Sequence, residues 1–176
     1  FKLVNKITAK YSDCKINYFT SSFETDVLAF IDSLNIEYIR NDRHIISPFE
    51  LDIYIPNKKV AIECNGTYYH SYKINKDKNY HYNKSKLCEE QGIRLIHIWE
   101  YEWYNERQQP ILKNIIKGAL GLNDNKIYAR KCNIEVIPSK DMKQFFNNNN
   151  IQGFRPGKFA ICLKYNDEIV MSYMMG

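Results

Sequence analysis

The chain has 176 residues, 44% of them hydrophobic, which is enough to bury one good core and to begin a second, smaller one, so it reads as globular rather than disordered. Lysine and arginine number 25 against 20 aspartate and glutamate, a formal charge of +5 that suits an anionic partner without establishing one. No apolar run approaches the length that spans a bilayer, since the strongest, IRLIHIW at 93–99, contains an arginine, and this argues against a membrane partner.

In chain order the pattern alternates α and β. Residues 14–20 predict a short strand, and SSFETDVLAFIDSLN, residues 21–35, predicts a helix with Phe23, Val27, Phe30, Ile31 and Leu34 on one face and a capping box of Ser21 and Glu24 at its start. A hairpin is expected over 50–66, then a helix from about Asn75 to Gln91 ended by Gly92, then a buried strand over IRLIHIW. A third helix, with Pro110 in its first turn and Gly121 beyond its end, carries Ile111, Leu112, Ile115, Ile116, Ala119 and Leu120 on its apolar stripe.

A first unit is expected to close there, giving residues 1–122 and, after the linker LNDNK at 122–126, a smaller α/β unit over 123–176. That second unit comprises KIYARKCNIEVI, a short helix opened by Ser139, and a hairpin turning at Asn166-Asp167. Five cysteines without a CxxC or a Cys/His cluster at zinc spacing read as reduced thiols. With no signal peptide seen, they lead to the expectation of a chain that works inside a cell. The chain begins at Phe1 and stops at Gly176 just after a strand-like run, and is expected to be a piece of something longer.

Both runs of the hairpin ELDIYIPNKKVAIECNG carry a carboxylate where a core residue is expected. With a two-residue turn at Asn57-Lys58, Asp52 faces Glu63 and Glu50 faces Asn65. Opposed side chains sit roughly 4.5–5.5 Å apart at Cβ, where like charges are destabilising. Either a divalent cation such as Mg²⁺ bridges the acids, or that face is solvated with Lys58 and Lys59 as counter-charge. On the following helix Tyr80, Lys84, Leu87, Cys88 and Gln91 share a face, which turns a lysine toward the core unless it snorkels along the helix edge. Asp77 and His81 precede Lys84 on nearly the same side, and His70 follows the strand that bears Glu63 and Asn65, either as a proton-transfer group or as a loop histidine.

Asp52 and Glu63 in D-x10-E-x-N-G, the histidine after it, the helix with K-x3-C and the strand GIRLIHIWE together resemble the PD-(D/E)xK nuclease fold, in its branch around the very-short-patch repair endonuclease and phage homing endonucleases. The resemblance covers roughly residues 20–120. It implies an α/β class with a restriction-endonuclease-like core of α-β-β-β-α-β order, a mixed sheet flanked by helices, and one strand near 36–46 that the pattern marks poorly. It also implies that Asp52 and Glu63 bind the metal, Mg²⁺ or Mn²⁺, and that His70 takes part in catalysis. Glu24 matches a helix-borne acid of the site, a role that its place in the capping box rivals. Asn65 stands at the usual lysine position, and an amide cannot act as a general base, so Lys84 or His70 must cover that task.

The expected function is therefore a metal-dependent DNA endonuclease of homing or repair type, with DNA as partner and a homodimer among its assemblies. The stretch TYYHSYKINKDKNYHYNK supplies Lys73, Lys76, Lys78 and His81 for phosphates and Tyr68 and Tyr69 for stacking. Trp99, Trp103 and Tyr104 read either as core or as a DNA-facing wedge. One alternative is an inactive DNA-binding nuclease-fold module. The other is an acyltransferase-like fragment fused to a nuclease-like domain, since the second unit resembles the opening strands and helix of the acyltransferase fold found in some phage proteins, though it lacks a recognisable pyrophosphate loop for coenzyme A.

Overall fold

A computed structural model describes residues 21–66, 79–123 and 126–176. The first helix, α1 (Ser22–Ser33), starts where Ser21 accepts the Glu24 backbone N–H through its hydroxyl at 3.1 Å. One half of the expected capping box is thus present. The other half is not, because the Glu24 carboxylate goes to Arg40. Phe23, Val27, Leu28 and Ile31 form the buried face of α1.

Four strands follow: β1 (Ile39–Asp42), β2 (Leu51–Ile55), β3 (Val60–Asn65) and β4 (Arg94–Trp99), in the spatial order β1-β2-β3-β4. β1 and β2 are antiparallel, as are β2 and β3, while β3 and β4 run parallel. Helix α2 (Tyr80–Glu90) lies between β3 and β4 in the chain, and Gly92, at φ +66°, takes the left-handed conformation just beyond it. A short helix α3 (Glu100–Trp103), which the pattern does not announce, and α4 (Gln108–Leu120) complete this part of the chain. The order α-β-β-β-α-β is thus present in a mixed sheet flanked by helices. The poorly marked strand is β1, whose sequence IRND has no apolar alternation and which lies at the sheet edge.

Alternation along the strands sorts side chains onto two faces. One face carries Ile53, Ile55, Val60, Ile62, Ile96 and Ile98 against Phe23, Val27 and Ile31 of α1, Trp103, and Leu112, Ile116 and Leu120 of α4. The other carries Tyr54, Ala61 and Leu95 against Leu87 and Cys88 of α2. Two expectations change here. β4 is an edge strand with Leu95, His97 and Trp99 only half-buried, so it is not covered on both faces, and Tyr80 and Gln91 at the two ends of α2 are exposed.

The second sheet is antiparallel, in the order β5 (Asn133–Pro138), β6 (Phe159–Tyr165), β7 (Glu168–Met175), with α5 (Lys143–Asn149) preceding its hairpin. Tyr165 pairs with Glu168 across Asn166-Asp167, whose φ values of 50° and 64° are those of a type I′ turn. Ala160 and Cys162 are buried with Met142, whereas Ile134, Val136, Met171 and Tyr173 on the opposite face are exposed.

Arg107 joins this part to the first. Its guanidinium donates to the carbonyls of Asn147 at 2.9 Å, Asn150 at 2.8 Å and Ile151, so it caps the C-terminal end of α5. Gln108 donates to the Ile151 carbonyl as well, and the Ile151 side chain packs on the first core. Among the described residues no helix is long and apolar enough to cross a membrane.

Ser21→Ala removes an N-cap whose side chain satisfies an otherwise unpaired N–H of α1. It is expected to lower unfolding stability by about 1 kcal/mol, read as a lower urea midpoint with an unchanged m-value.

Candidate active site

The hairpin register is the expected one: Ile53 pairs with Ile62, Tyr54 with Ala61 and Ile55 with Val60. The turn differs. Pro56–Lys58 form a 3-10 turn and Lys59 adopts φ +51°, so the loop has more residues than expected while the register is kept. Asp52 and Glu63 are the next opposed positions beyond Ile53 and Ile62. There the Asp52 carboxylate itself accepts the Cys64 N–H at 2.8 Å.

Both acids stand on the face covered by α2, since Asp52 alternates with Ile53 to join Tyr54, and Glu63 alternates with Ile62 to join Ala61. Glu63 is 6% exposed and Lys84 only 1%. Lys84 donates to Glu63 Oε2 and lies 5.9 Å from the centre of the Tyr80 ring. This excludes a solvated hairpin face and a snorkelling lysine: Lys58 and Lys59 are exposed at the turn, and the counter-charge comes from α2.

Among the described residues the charges do not balance. Arg40 pairs with Glu24 at 2.8 Å, Arg43 pairs with Glu50, and Lys84 is left beside half-buried Asp52 and buried Glu63. Burial and then the neighbouring Asp52 charge push the Glu63 carboxyl up to about 7 from 4.5, against the opposing pull of Lys84. Burial also raises Asp52, although the Cys64 N–H and Lys84 act the other way. The Cys64 thiol is pushed up by burial and by the same carboxylates, which leaves it protonated and unfit as a nucleophile.

A further group adjoins Glu63 on its other side. Glu63 pairs in register with His97 of β4, so three adjacent strands present Asp52, Glu63 and His97 in a row. His97 Nε2 lies 3.2 Å from Ser85 Oγ, and its Nδ1 lies 3.4 Å from Nδ2 of Asn65, which is fully buried. His81, near the start of α2, places its ring 5.5 Å from that of His97 and 6.1 Å from that of Trp99. Burial, and then Lys84, lower the His81 pKa, which favours the neutral imidazole.

The structure thus brings together Asp52, Glu63, Lys84, Asn65 and His81 from the sequence expectations. Glu24 is not among their side-chain partners: it sits on α1, bound to Arg40, and acts on Asp52 only through its charge. His70, Lys73, Lys76, Lys78, Tyr68, Tyr69 and Asp77 lie outside the described residues, as does the strand expected over 14–20. Trp103 is core, Trp99 half-buried beside His81, and Tyr104 exposed with its hydroxyl donating to Asp26 at 2.8 Å. His97 and Ser85 were missed. The signal was present, because His97 interrupts an apolar run at the parity of Leu95 and Trp99, and Ser85 follows Lys84 on the same helix.

Among the described residues no cluster of three or more His, Cys, Asp or Glu is found, so a cation here would rest on two carboxylates and on other oxygens. The donor set fits a hard divalent ion, which binds through one or two carboxylates and completes its shell with water and substrate oxygens. Hydrogen bonds engage Asp52 Oδ2 and Glu63 Oε2, which leaves Oδ1 and Oε1 as the donor atoms.

No family model matches the chain, and a search of curated proteins finds no match. Among solved structures the chain is similar to the catalytic domain of the homing endonuclease I-Bth0305I, with 24% sequence identity and a TM-score of 0.47 over 60% of this chain and 100% of that one.

The raised Glu63 carboxyl has a consequence for stability. Between about 4.5 and about 7 the folded protein holds a proton that the unfolded chain has lost, so the contribution of Glu63 is full below that window and disappears as pH rises through it. In a chelator, the melting temperature is expected to fall by on the order of 5 °C from pH 5 to pH 7.5. Glu63→Gln should flatten that fall. A flat wild-type profile would mean that Lys84 already holds Glu63 ionised.

Proposed function

We propose that the chain is a metal-dependent endonuclease that hydrolyses DNA phosphodiester bonds, with its site on the α2-covered face of the first sheet. The observation that carries this reading is the opposed pair of carboxylates, half-buried Asp52 and buried Glu63, with the one buried lysine bound to Glu63. Two opposed acids beside one lysine leave a negative charge uncompensated among the described residues, and a divalent cation would supply what is missing. Bound there, such a cation lowers the pKa of a water and polarises a phosphoryl oxygen.

The residues of the chain supply the rest. Asp52 is oriented by the Cys64 N–H and Glu63 by Lys84, so each presents its remaining oxygen without further ordering. Lys84 carries a fixed positive charge beside the carboxylates, where it stabilises negative charge building on the phosphoryl oxygens. Its place on α2 makes it a stand-in for the lysine that the resemblance puts at Asn65. An amide at Asn65 favours the inactive DNA-binding module as the second reading, since it cannot take a proton. The first unit, residues 1–122, is proposed to carry this activity, with residues 123–176 as its accessory.

Incubation of the full chain with supercoiled plasmid and Mg²⁺ or Mn²⁺ tests the proposal, and nicking that stops in a chelator is the expected result. Asp52→Ala should lower that rate at least about 100-fold, with a metal-free melting temperature at pH 7.5 equal to or above wild type because a like-charge pair is relieved. Undiminished cleavage by this variant would overturn the site. Lys84→Met keeps apolar volume in α2 and leaves Glu63 to protonate, so it should fold yet lose at least about tenfold in rate. DNA binding without cleavage by the wild type under all these conditions would favour the inactive module.

A further inference from the structure

Asn65 ends β3 in full burial, yet its amide oxygen has no hydrogen-bond partner among the described residues. A buried acceptor left unpaired is destabilising, so such an atom beside a site marks a place for a ligand. The amide is not free to turn. Its Nδ2 lies 3.4 Å from the Ile98 carbonyl oxygen and 3.4 Å from His97 Nδ1. A carbonyl oxygen only accepts, so the NH₂ group is the one that faces β4, and the amide oxygen is turned away from that strand.

His97 is fixed by the same logic. An NH₂ group only donates, so Nδ1 of His97 is the acceptor and the ring proton sits on Nε2, directed at Ser85 Oγ 3.2 Å away. Ser85 on α2, His97 on β4 and Asn65 on β3 therefore form a line that sets both a tautomer and an amide orientation. Glu63 is two positions before Asn65 on the same face of β3, between Asp52 on one side and His97 on the other. Asn65 therefore stands on the same face of the sheet as the two carboxylates, with its oxygen on the side of the amide that does not face β4. That oxygen is neutral, keeps its lone pairs at any pH, and belongs to the class of oxygen that hard divalent cations accept beside carboxylates.

We propose that Asn65 Oδ1 is a third, neutral oxygen ligand of the divalent cation held by Asp52 and Glu63, and that His97 and Ser85 are positioning residues that keep this oxygen aimed at it. The assignment rests on the cation-binding reading above. It gives the amide a function at a position where it cannot serve as a base, and it gives His97 a function that needs no proton transfer.

Titration of the metal-free full chain with Mn²⁺ alone, followed by the paramagnetic resonance signal of free Mn²⁺ and without DNA, tests the proposal separately from catalysis. Asp52→Asn should weaken binding on the order of 100-fold. Asn65→Leu, nearly isosteric, and Asn65→Ser, whose short hydroxyl does not reach, should each weaken it about 10-fold, with folding checked by near-ultraviolet circular dichroism. His97→Leu, which removes one of the two acceptors that hold the amide and leaves the Ile98 carbonyl alone to do so, should weaken it several-fold, and His97→Gln should restore it, since a glutamine oxygen can accept from Asn65 Nδ2. If both Asn65 variants bind Mn²⁺ within about twofold of wild type while Asp52→Asn does not, the ligand assignment is overturned and the cation reading stands. If Asp52→Asn binds as wild type does, the cation reading fails and the assignment with it.

Discussion

A buried ammonium on α2 meets a buried carboxylate on β3, and taking away either charge would leave the other without water and without a partner. Such a pair is weak as a source of stability, because removing both ions from water offsets most of their attraction. Its value here is positional. It pins α2 to the sheet at Lys84, fixes one oxygen of Glu63, and leaves Asp52, one strand away, without an ion-pair partner of its own among the described residues. The raised Glu63 carboxyl expresses that imbalance as protonation, and a divalent cation would relieve it by coordination.

β3 is the element that makes the arrangement possible. It is antiparallel to β2 on one side and parallel to β4 on the other, so Glu63 gains neighbours from two strands far apart in sequence. The hairpin needs only a short turn to oppose Asp52 and Glu63. The parallel pairing needs a crossover, and that crossover contains α2, which brings Lys84 and Ser85 over the same face as Glu63 and His97. The connection that permits a parallel strand thus also delivers the counter-charge. On the opposite face, α1 and α4 supply an apolar layer that holds the sheet without contributing polar groups to the site, apart from the long-range charge of Glu24.

The second sheet is attached through backbone acceptors. Arg107 fills the carbonyls that α5 leaves unsatisfied at its C-terminal end, and Ile151 inserts beside the first core. A guanidinium bound to several carbonyls fixes orientation as well as distance. The side chains that face away from its own small core, Ile134, Val136, Met171 and Tyr173, remain exposed.

Local pattern was enough for much of this molecule. Helical periodicity and caps marked α1 and α4, alternation and turn residues marked the β2-β3 hairpin and its register, and Asn166-Asp167 marked the second hairpin, because each of these depends on residues close in sequence. The two carboxylates could be paired from register alone, and Lys84 betrayed itself as a charge on an apolar face. β1 escaped because a short edge strand has neither burial nor alternation to record, and α3 because four residues carry too little period. His97 and Ser85 escaped for a different reason. Their meaning lies in which strand stands beside β3, and a parallel neighbour is chosen by the packing of a crossover helix rather than by any spacing along the chain. Glu24 shows the same limit from the other side: as a cap residue and as a site acid it looks identical in one dimension, and the choice of Arg40 as its partner was made only when β1 was laid against β2. The sequence by itself determined the elements, the opposed acids and the buried lysine. The tertiary structure alone decided which charges would be paired and which would not, because charge balance at a buried site depends on distances between strands that the chain brings together only when it folds.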